Sequence, residues 1–226
     1  ISNCIITLNI AAKVGGGVFQ GTLYNCTIRR NDSSDQGGGV WEGALSACSV
    51  VDNFSFLGGG SYYSVLFNCT LASNLAYRGG GAEGGELYHC TVVTNWAFQT
   101  AGGVYDARMV NCVVYHNDCT NNPNWEHGTI SYTCTDPLPV GDGNITNDPR
   151  LVSVIAGNLR LMSNSPCIDS GTNDVAALDK DGLPRPLDGN WDGTNTADMG
   201  AYEFVNGAAD SDMDGMLDPW EIDNQL

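Results

Sequence analysis

Apolar and polar residues alternate along the first three-fifths of the chain, and the alternation returns at a nearly fixed interval. Aligning the copies produces columns. One runs Leu23, Leu45, Leu66, Leu87, Met109, Ile130; a second runs Ile6, Ile28, Val50, Leu71, Val92, Val114. A third, polar column runs Asn9, Asn31, Asn53, Asn74, Asn95, Asn117. Between them the period is two, which predicts short strands with one buried face. No stretch sustains a helical stripe. Glycine triplets such as Gly37-Gly38-Gly39 and the Asn column mark corners. Seven cysteines keep time with the repeat: Cys4, Cys26, Cys48, Cys69, Cys90, Cys112 and Cys134, at intervals of 22, 22, 21, 21, 22 and 22 residues. Such a period means stacked copies of one unit. It predicts an all-β, single-stranded parallel β-helix of about six rungs over residues 1–135, each turn pairing with the next at roughly 4.8 Å.

Each column has a physical role. Stacked Asn side chains hydrogen-bond to their copies above and below and satisfy buried amides. Glycines admit positive φ and close approach of backbone. The cysteines alternate with Leu and Ile, so Cys4 through Cys112 are expected inside the coil as reduced, small apolar side chains. In-register parallel Cβ vectors suit a disulfide poorly. Cys119 and Cys167 stand outside the ladder. For Cys134, at its end, a bridge to Cys167 and free thiols are both open.

The run Leu-x-Asn-Cys-Thr-x-x-x-Asn with Gly-Gly-Gly-Val resembles the right-handed parallel β-helix superfamily that includes pectin lyases. It is also similar to the GGA-I and FxxN repeats of bacterial polymorphic outer-membrane adhesins. Residues 136–206 lose the period. Their segments Asp148-Pro149-Arg150-Leu151, Ser165-Pro166-Cys167-Ile168-Asp169, Asp179-Lys180-Asp181-Gly182 and Asp198-Met199-Gly200-Ala201-Tyr202-Glu203 resemble the C-terminal part of secreted bacterial β-helix proteins of the choice-of-anchor type. That resemblance implies a cap closing the coil, where open strand edges would otherwise stick.

Charge changes the picture at the same boundary. The net charge is -17, from 26 acidic and 9 basic residues. Residues 1–135 hold 9 acidic and 5 basic residues, and 136–226 hold 17 and 4. This balance excludes nucleic acid as a partner and favours cations. No apolar run is long enough to span a bilayer. Ile1 enters in mid-repeat, so the chain is expected to be a piece of something longer. Its open first rung is a candidate for self-association end to end.

The acidic tail carries a sharp motif. Counting from Asp210, the positions 1, 3, 5, 7, 9 and 12 of a calcium loop are Asp210, Asp212, Asp214, Met216 (through its carbonyl), Asp218 and Glu221, with Gly215 at the turn. It is similar to thrombospondin type 3-like repeats, and it makes residues 207–226 a calcium-binding segment. Without a cation these carboxylates would repel one another. A second run, Asp188, Asn190, Asp192, Gly193, begins the same pattern and then departs from it. Calcium and an Asx-rich turn are both open there.

Chemistry on the coil centres on the outward column Phe19, Trp41, Tyr62, Glu83, Tyr105, Glu126 and its neighbour Gln20, Glu42, Tyr63, Gly84, Asp106, His127. The aromatics Phe19, Trp41, Tyr62 and Tyr105 suit a sugar chain or a partner surface. Glu83 and Asp106, with Glu42, are the candidate catalytic carboxylates. The opposing reading is rung-to-rung aromatic stacking with solvated acids. Polygalacturonase-like motifs are absent, and the nearest run is Glu126-His127-Gly128. Arg30 with Asp52, and Glu86 with Arg108, are expected as ion pairs between rungs; Arg78 has no assigned role. The expectation is a non-enzymatic extracellular or cell-surface, adhesin-like β-helix segment stiffened by calcium, with filament formation open. The alternative is a polysaccharide lyase or glycoside hydrolase on the Trp41–Asp106 face.

Overall fold

Each repeat contributes three groups of short strands, and copies stack in register into parallel sheets. The computed structural model, described for residues 1–173 and 177–205, is a parallel β-solenoid of about six turns with no helix among the described residues. The post-cysteine sheet holds Ile5–Thr7, Thr27–Arg29, Ser49–Val51, Thr70–Ala72, Thr91–Val93, Val113–Tyr115 and Cys134–Thr135. The post-asparagine sheet runs from Ile10–Ala11 through Asp32–Ser33, Phe54–Leu57, Leu75–Arg78 and Trp96–Thr100 to Asp118–Cys119. The post-glycine sheet includes Val18–Phe19, Val40–Trp41, Val104–Val110 and Trp125–Ser131. The apolar columns and the cysteines from Cys26 to Cys112 fill one continuous core. On the first rung Ile1, Ile5, Leu8 and Ile10 are exposed.

The Asn column forms the expected ladder. The Nδ2 of Asn31, Asn53, Asn74 and Asn95 each donates to the Oδ1 of the next Asn at 2.9–3.0 Å. The same nitrogens also donate to strand carbonyls at Ile6, Ile28, Val50 and Leu71. At the top, Asn124 accepts from Asn117 and carries the ladder on outside the period. The sharp bends, however, fall on left-handed residues beside these columns: Arg30, Asp52, Ser73 and Thr94 before the asparagines, Asn25, Ala47, Asn68 and His89 before the cysteines. In the triplet only Gly37 is left-handed (φ 62°). Gly38 serves another need, since a Cβ there would sit 2.2 Å from the Phe54 carbonyl oxygen.

The cysteine ladder ends one rung earlier than its spacing suggests. Met109 pairs with Ile130 and Val113 with Cys134. This rung spans 21 residues, one fewer than the Cys112–Cys134 interval, and the ladder position opposite Cys112 belongs to Thr133. A one-residue slip turns a side chain to the opposite face of a sheet. Cys134 accordingly leaves the interior and enters a second core with Val93, Val113, Leu151, Leu159, Leu161, Cys167, Met199, Tyr202 and Phe204.

That second core joins the coil to residues 136–205. The segment begins over the last rung, where Thr135 N donates to the Ile145 carbonyl and Ile145 N to that of Thr133. It then runs down the flank of the post-cysteine sheet instead of closing only the end. Asn68 Nδ2 donates to the Leu178 carbonyl at 2.8 Å, and Lys180 Nζ reaches the Ala47 carbonyl at 2.8 Å. The outward column of that sheet explains the path: Arg29 gives way to Val51, Ala72, Val93 and Tyr115 on successive rungs, so the upper flank is apolar and needs cover. Inside the cap, Arg185 and Glu203 form an ion pair at 2.7 Å with both side chains 1% exposed. Asp179 accepts from the backbone of Asp181, Leu183 and Glu203, and Asp198 from that of Asp169 and Phe204. The acidic runs that suggested a cap are the residues that hold it together.

Candidate functional site

The outward column assembles in register: Phe19 beside Trp41, then Tyr62, Glu83, Tyr105 and Glu126 on successive rungs. Strand spacing sets the contacts between flat rings. Phe19 and Trp41 stack at 4.7 Å with planes 8° apart, while Tyr62 tilts against Tyr63 at 4.8 Å. Phe19 and Tyr63 remain exposed. Trp41 is steadied by its indole N–H, which donates to Gln36 Oε1 at 3.1 Å.

Glu83 sits differently from its neighbours. It is 4% exposed and grips the Arg78 guanidinium through both carboxylate oxygens. Arg78 stands in turn 4.2 Å over the Tyr105 ring. Burial pushes the Glu83 carboxyl above its usual range, the hydrogen bonds and charge of Arg78 pull it back, and Asp106 adds a smaller upward push. The partner missing from the sequence reading, Arg78, lies five residues upstream across a corner, where no rung register points to it.

Glu42 and Asp106 both have left-handed backbone, with φ of 48° and 51°, as do Gln20, Tyr63 and His127 in the same column. Glu42 follows the strand Val40–Trp41, is exposed and accepts from Gln20 Nε2 at 3.0 Å; Asp106 is an exposed kink within the strand Val104–Val110. Above Glu83 the surface opens into a polar basin of about 670 Å³ walled by Arg78, Gln99, Thr100, Tyr105, Asn121, Asn122 and Glu126. Glu126 accepts from the Thr100 hydroxyl and lies 3.7 Å from His127 Nε2. The rung-to-rung pairs Arg30–Asp52 and Arg108–Glu86 are present at 3.7 and 3.5 Å.

A second aromatic surface was not foreseen. On the post-asparagine sheet Ser55, Ala76 and Ala97 are buried, so their flanking residues point outward: Phe54 and Phe56, Leu75 and Tyr77, Trp96 and Phe98. Phe56 and Tyr77 stack at 4.8 Å, and Trp96 meets Phe98 edge-on at 4.2 Å. Phe54, Phe56, Tyr77 and Phe98 are each at least 40% exposed. The signal was present as alternation in Phe-Ser-Phe, Leu-Ala-Tyr and Trp-Ala-Phe, hidden because these runs directly follow the Asn corners.

The calcium loop at Asp210, Asp212, Asp214, Met216, Asp218 and Glu221 lies outside the described residues. The second run is described. Asp188 accepts from the backbone of Asp192 and Gly193, Asn190 from Asp192, and Asp192 from Thr194, all within one exposed loop. These are the bonds of an Asx-rich turn. Among the described residues no group of three or more His, Cys, Asp or Glu side chains is arranged to hold a metal ion. Among the same residues no helix is long and apolar enough to cross a membrane. Set against family models, curated proteins and solved structures, the chain matches none, and what its own residues establish is the parallel β-solenoid.

Proposed function

We propose that the chain is a non-enzymatic, extracellular or cell-surface scaffold of adhesin-like type that presents aromatic rows to a polysaccharide or other cell-surface ligand. One observation carries this reading: two sheets of a rigid solenoid hold exposed rings in register, Phe19 on Trp41 and Phe56 on Tyr77. Exposed rings cost stability in water unless something covers them, and flat apolar faces beside amides and hydroxyls suit sugar rings. The basin beside Tyr105 supplies Gln99, Asn121 and Asn122 as such polar partners. Calcium at Asp210–Glu221 belongs to the proposal as a stiffening ion. In its self-stacking form, a second copy covers the exposed Ile5 and Ile10 of the first rung.

The alternative, a lyase or hydrolase on the Trp41–Asp106 face, needs Glu83 free to take or give a proton. Its carboxylate is instead engaged by Arg78. Both readings meet one experiment. Neutral and uronic polysaccharides are titrated by calorimetry and assayed for cleavage, using the wild type, Trp41→Ala, Phe56→Ala and Glu83→Gln. Binding weakened on the order of tenfold by an aromatic truncation, with no cleavage, is expected. Cleavage abolished by Glu83→Gln would overturn the proposal in favour of the enzyme.

A further inference from the structure

Five ladder thiols share one geometry. Cys26, Cys48, Cys69, Cys90 and Cys112 each donate to the carbonyl two residues before them at 3.2–3.3 Å, inside the coil. Thr133 takes the sixth position in the same way, its hydroxyl donating to the Ser131 carbonyl at 3.0 Å. Cys134 breaks the pattern. The short rung turns it outward, its thiol donates to the Asn147 carbonyl at 3.1 Å, and it belongs to the core that joins coil and cap. Cys167 comes to the same place from the cap. Its carbonyl accepts from Met199 N and its amide donates to Ser165 Oγ, which fix the backbone around it. Cys134 and Cys167 thus share one core, each 0% exposed.

We propose that Cys134 and Cys167 are an oxidisable pair whose disulfide clamps the cap onto the last rung. In the step each thiol loses its proton, one Sγ–Sγ bond forms, and the two electrons pass to a disulfide donor of the oxidised-glutathione class, whose own S–S bond is cleaved to two thiols. The clamp lies where it acts most, joining the irregular segment to the coil at the point where translational repetition ends. The other cysteines offer no competing pair in this core: the ladder thiols sit on the far side of the sheet, while Cys4 is exposed and Cys119 half-buried elsewhere. Burial raises the ladder thiols Cys69 and Cys90, which disfavours their thiolates in the folded state. Cys167 is raised well above its ordinary value by its thiol neighbour and by desolvation. The bond therefore forms as the cap docks, or when it opens.

The full chain refolded in a glutathione redox buffer provides the test, by alkylation, mass measurement and peptide mapping. Free thiols should fall from nine to seven per chain, with the Cys134 and Cys167 peptides linked. Oxidation should raise the melting temperature by about 5–10 °C. Cys167→Ser, which keeps a hydrogen-bonding group of similar size, should show neither change. Nine free thiols across the whole range of oxidant, or a bond joining any other pair, would overturn the proposal. Mapping of the wild type reads this out even where the variant folds poorly.

Discussion

Coil and cap bury polar groups by opposite means. In the coil the buried Asn column finds its partners in its own copies one rung away, so Asn31, Asn53, Asn74 and Asn95 repeat a single solution four times. The cap has no copies. It buries Arg185, Glu203, Asp179 and Asp198, and satisfies them with one another and with particular backbone N–H groups. Repetition tolerates exposure of charge, because its rung-to-rung ion pairs lie on the outside: Arg30 and Asp52 are 63% and 44% exposed, and the buried Glu83 pairs around a corner instead. The cap lacks that freedom, and a lost partner there strands a charge in a dry interior.

The largest effect should come from that contrast. Arg185→Met leaves Glu203 ionised without its counter-charge and should cost about 3–5 kcal/mol in urea unfolding. Adding Glu203→Gln should recover part of the loss: it removes the stranded charge, while its single carbonyl oxygen keeps one of the two backbone donors, Leu187 N or Asp198 N. Arg30→Met should change stability by less than about 1 kcal/mol, as exposed pairs do. Equal losses at Arg30 and Arg185 would break the comparison.

A second effect lies on the seam. His89 is a coil residue covered by the cap, with Nε2 3.1 Å from Asn111 Nδ2. Burial, with the Arg185 charge adding to it, lowers its pKa from 6.5 to about 3. A lowered folded-state value means full stabilisation above pH 6.5, lost as the pH falls toward 3. Between pH 6.5 and 4.5 that is about 2–3 kcal/mol. The cap carboxylates work the other way. Asp179, Asp198 and Glu203 are raised by burial, so their contribution is complete at low pH and fades as the pH rises through their folded values. His89→Asn should therefore flatten the acid limb of the stability profile. Superimposable profiles for variant and wild type would remove His89 from this role.

The coil was legible because its constraints repeat. The Leu, Ile and Asn columns, and the pairs Arg30–Asp52 and Arg108–Glu86, follow from register alone. Where one copy departs from the rest, the sequence misleads. Cys134 keeps the 22-residue interval from Cys112, yet the rung from Met109 to Ile130 spans 21, so the same spacing hides a change of face. Arg78 finds Glu83 around a corner within one turn, a contact no column shows. The cap could be recognised by its acidic runs, but its course along the flank depends on tertiary packing. The apolar drift from Arg29 to Tyr115 on one sheet face was the available hint. Of the candidate site, the aromatic and carboxylate row was readable from register, whereas the burial of Glu83 and the face around Phe56 and Tyr77 were not read.

The smallest effect tests how interchangeable the ladder is. Cys69 is 0% exposed, and its thiol is pushed up to about 12, first by burial, so it neither ionises nor reacts while the coil is closed. As a donor it meets the Phe67 carbonyl at 3.2 Å. Thr133 already makes the equivalent contact with a hydroxyl, three positions up the same stack. Cys69→Ser should therefore keep the hydrogen bond and lose only some packing against its apolar neighbours, about 1 kcal/mol. Chemical denaturation measures this directly. A loss as large as that of Arg185→Met would mean that the thiols hold the coil by something other than size and one hydrogen bond, and coil and cap would no longer differ in how they tolerate change.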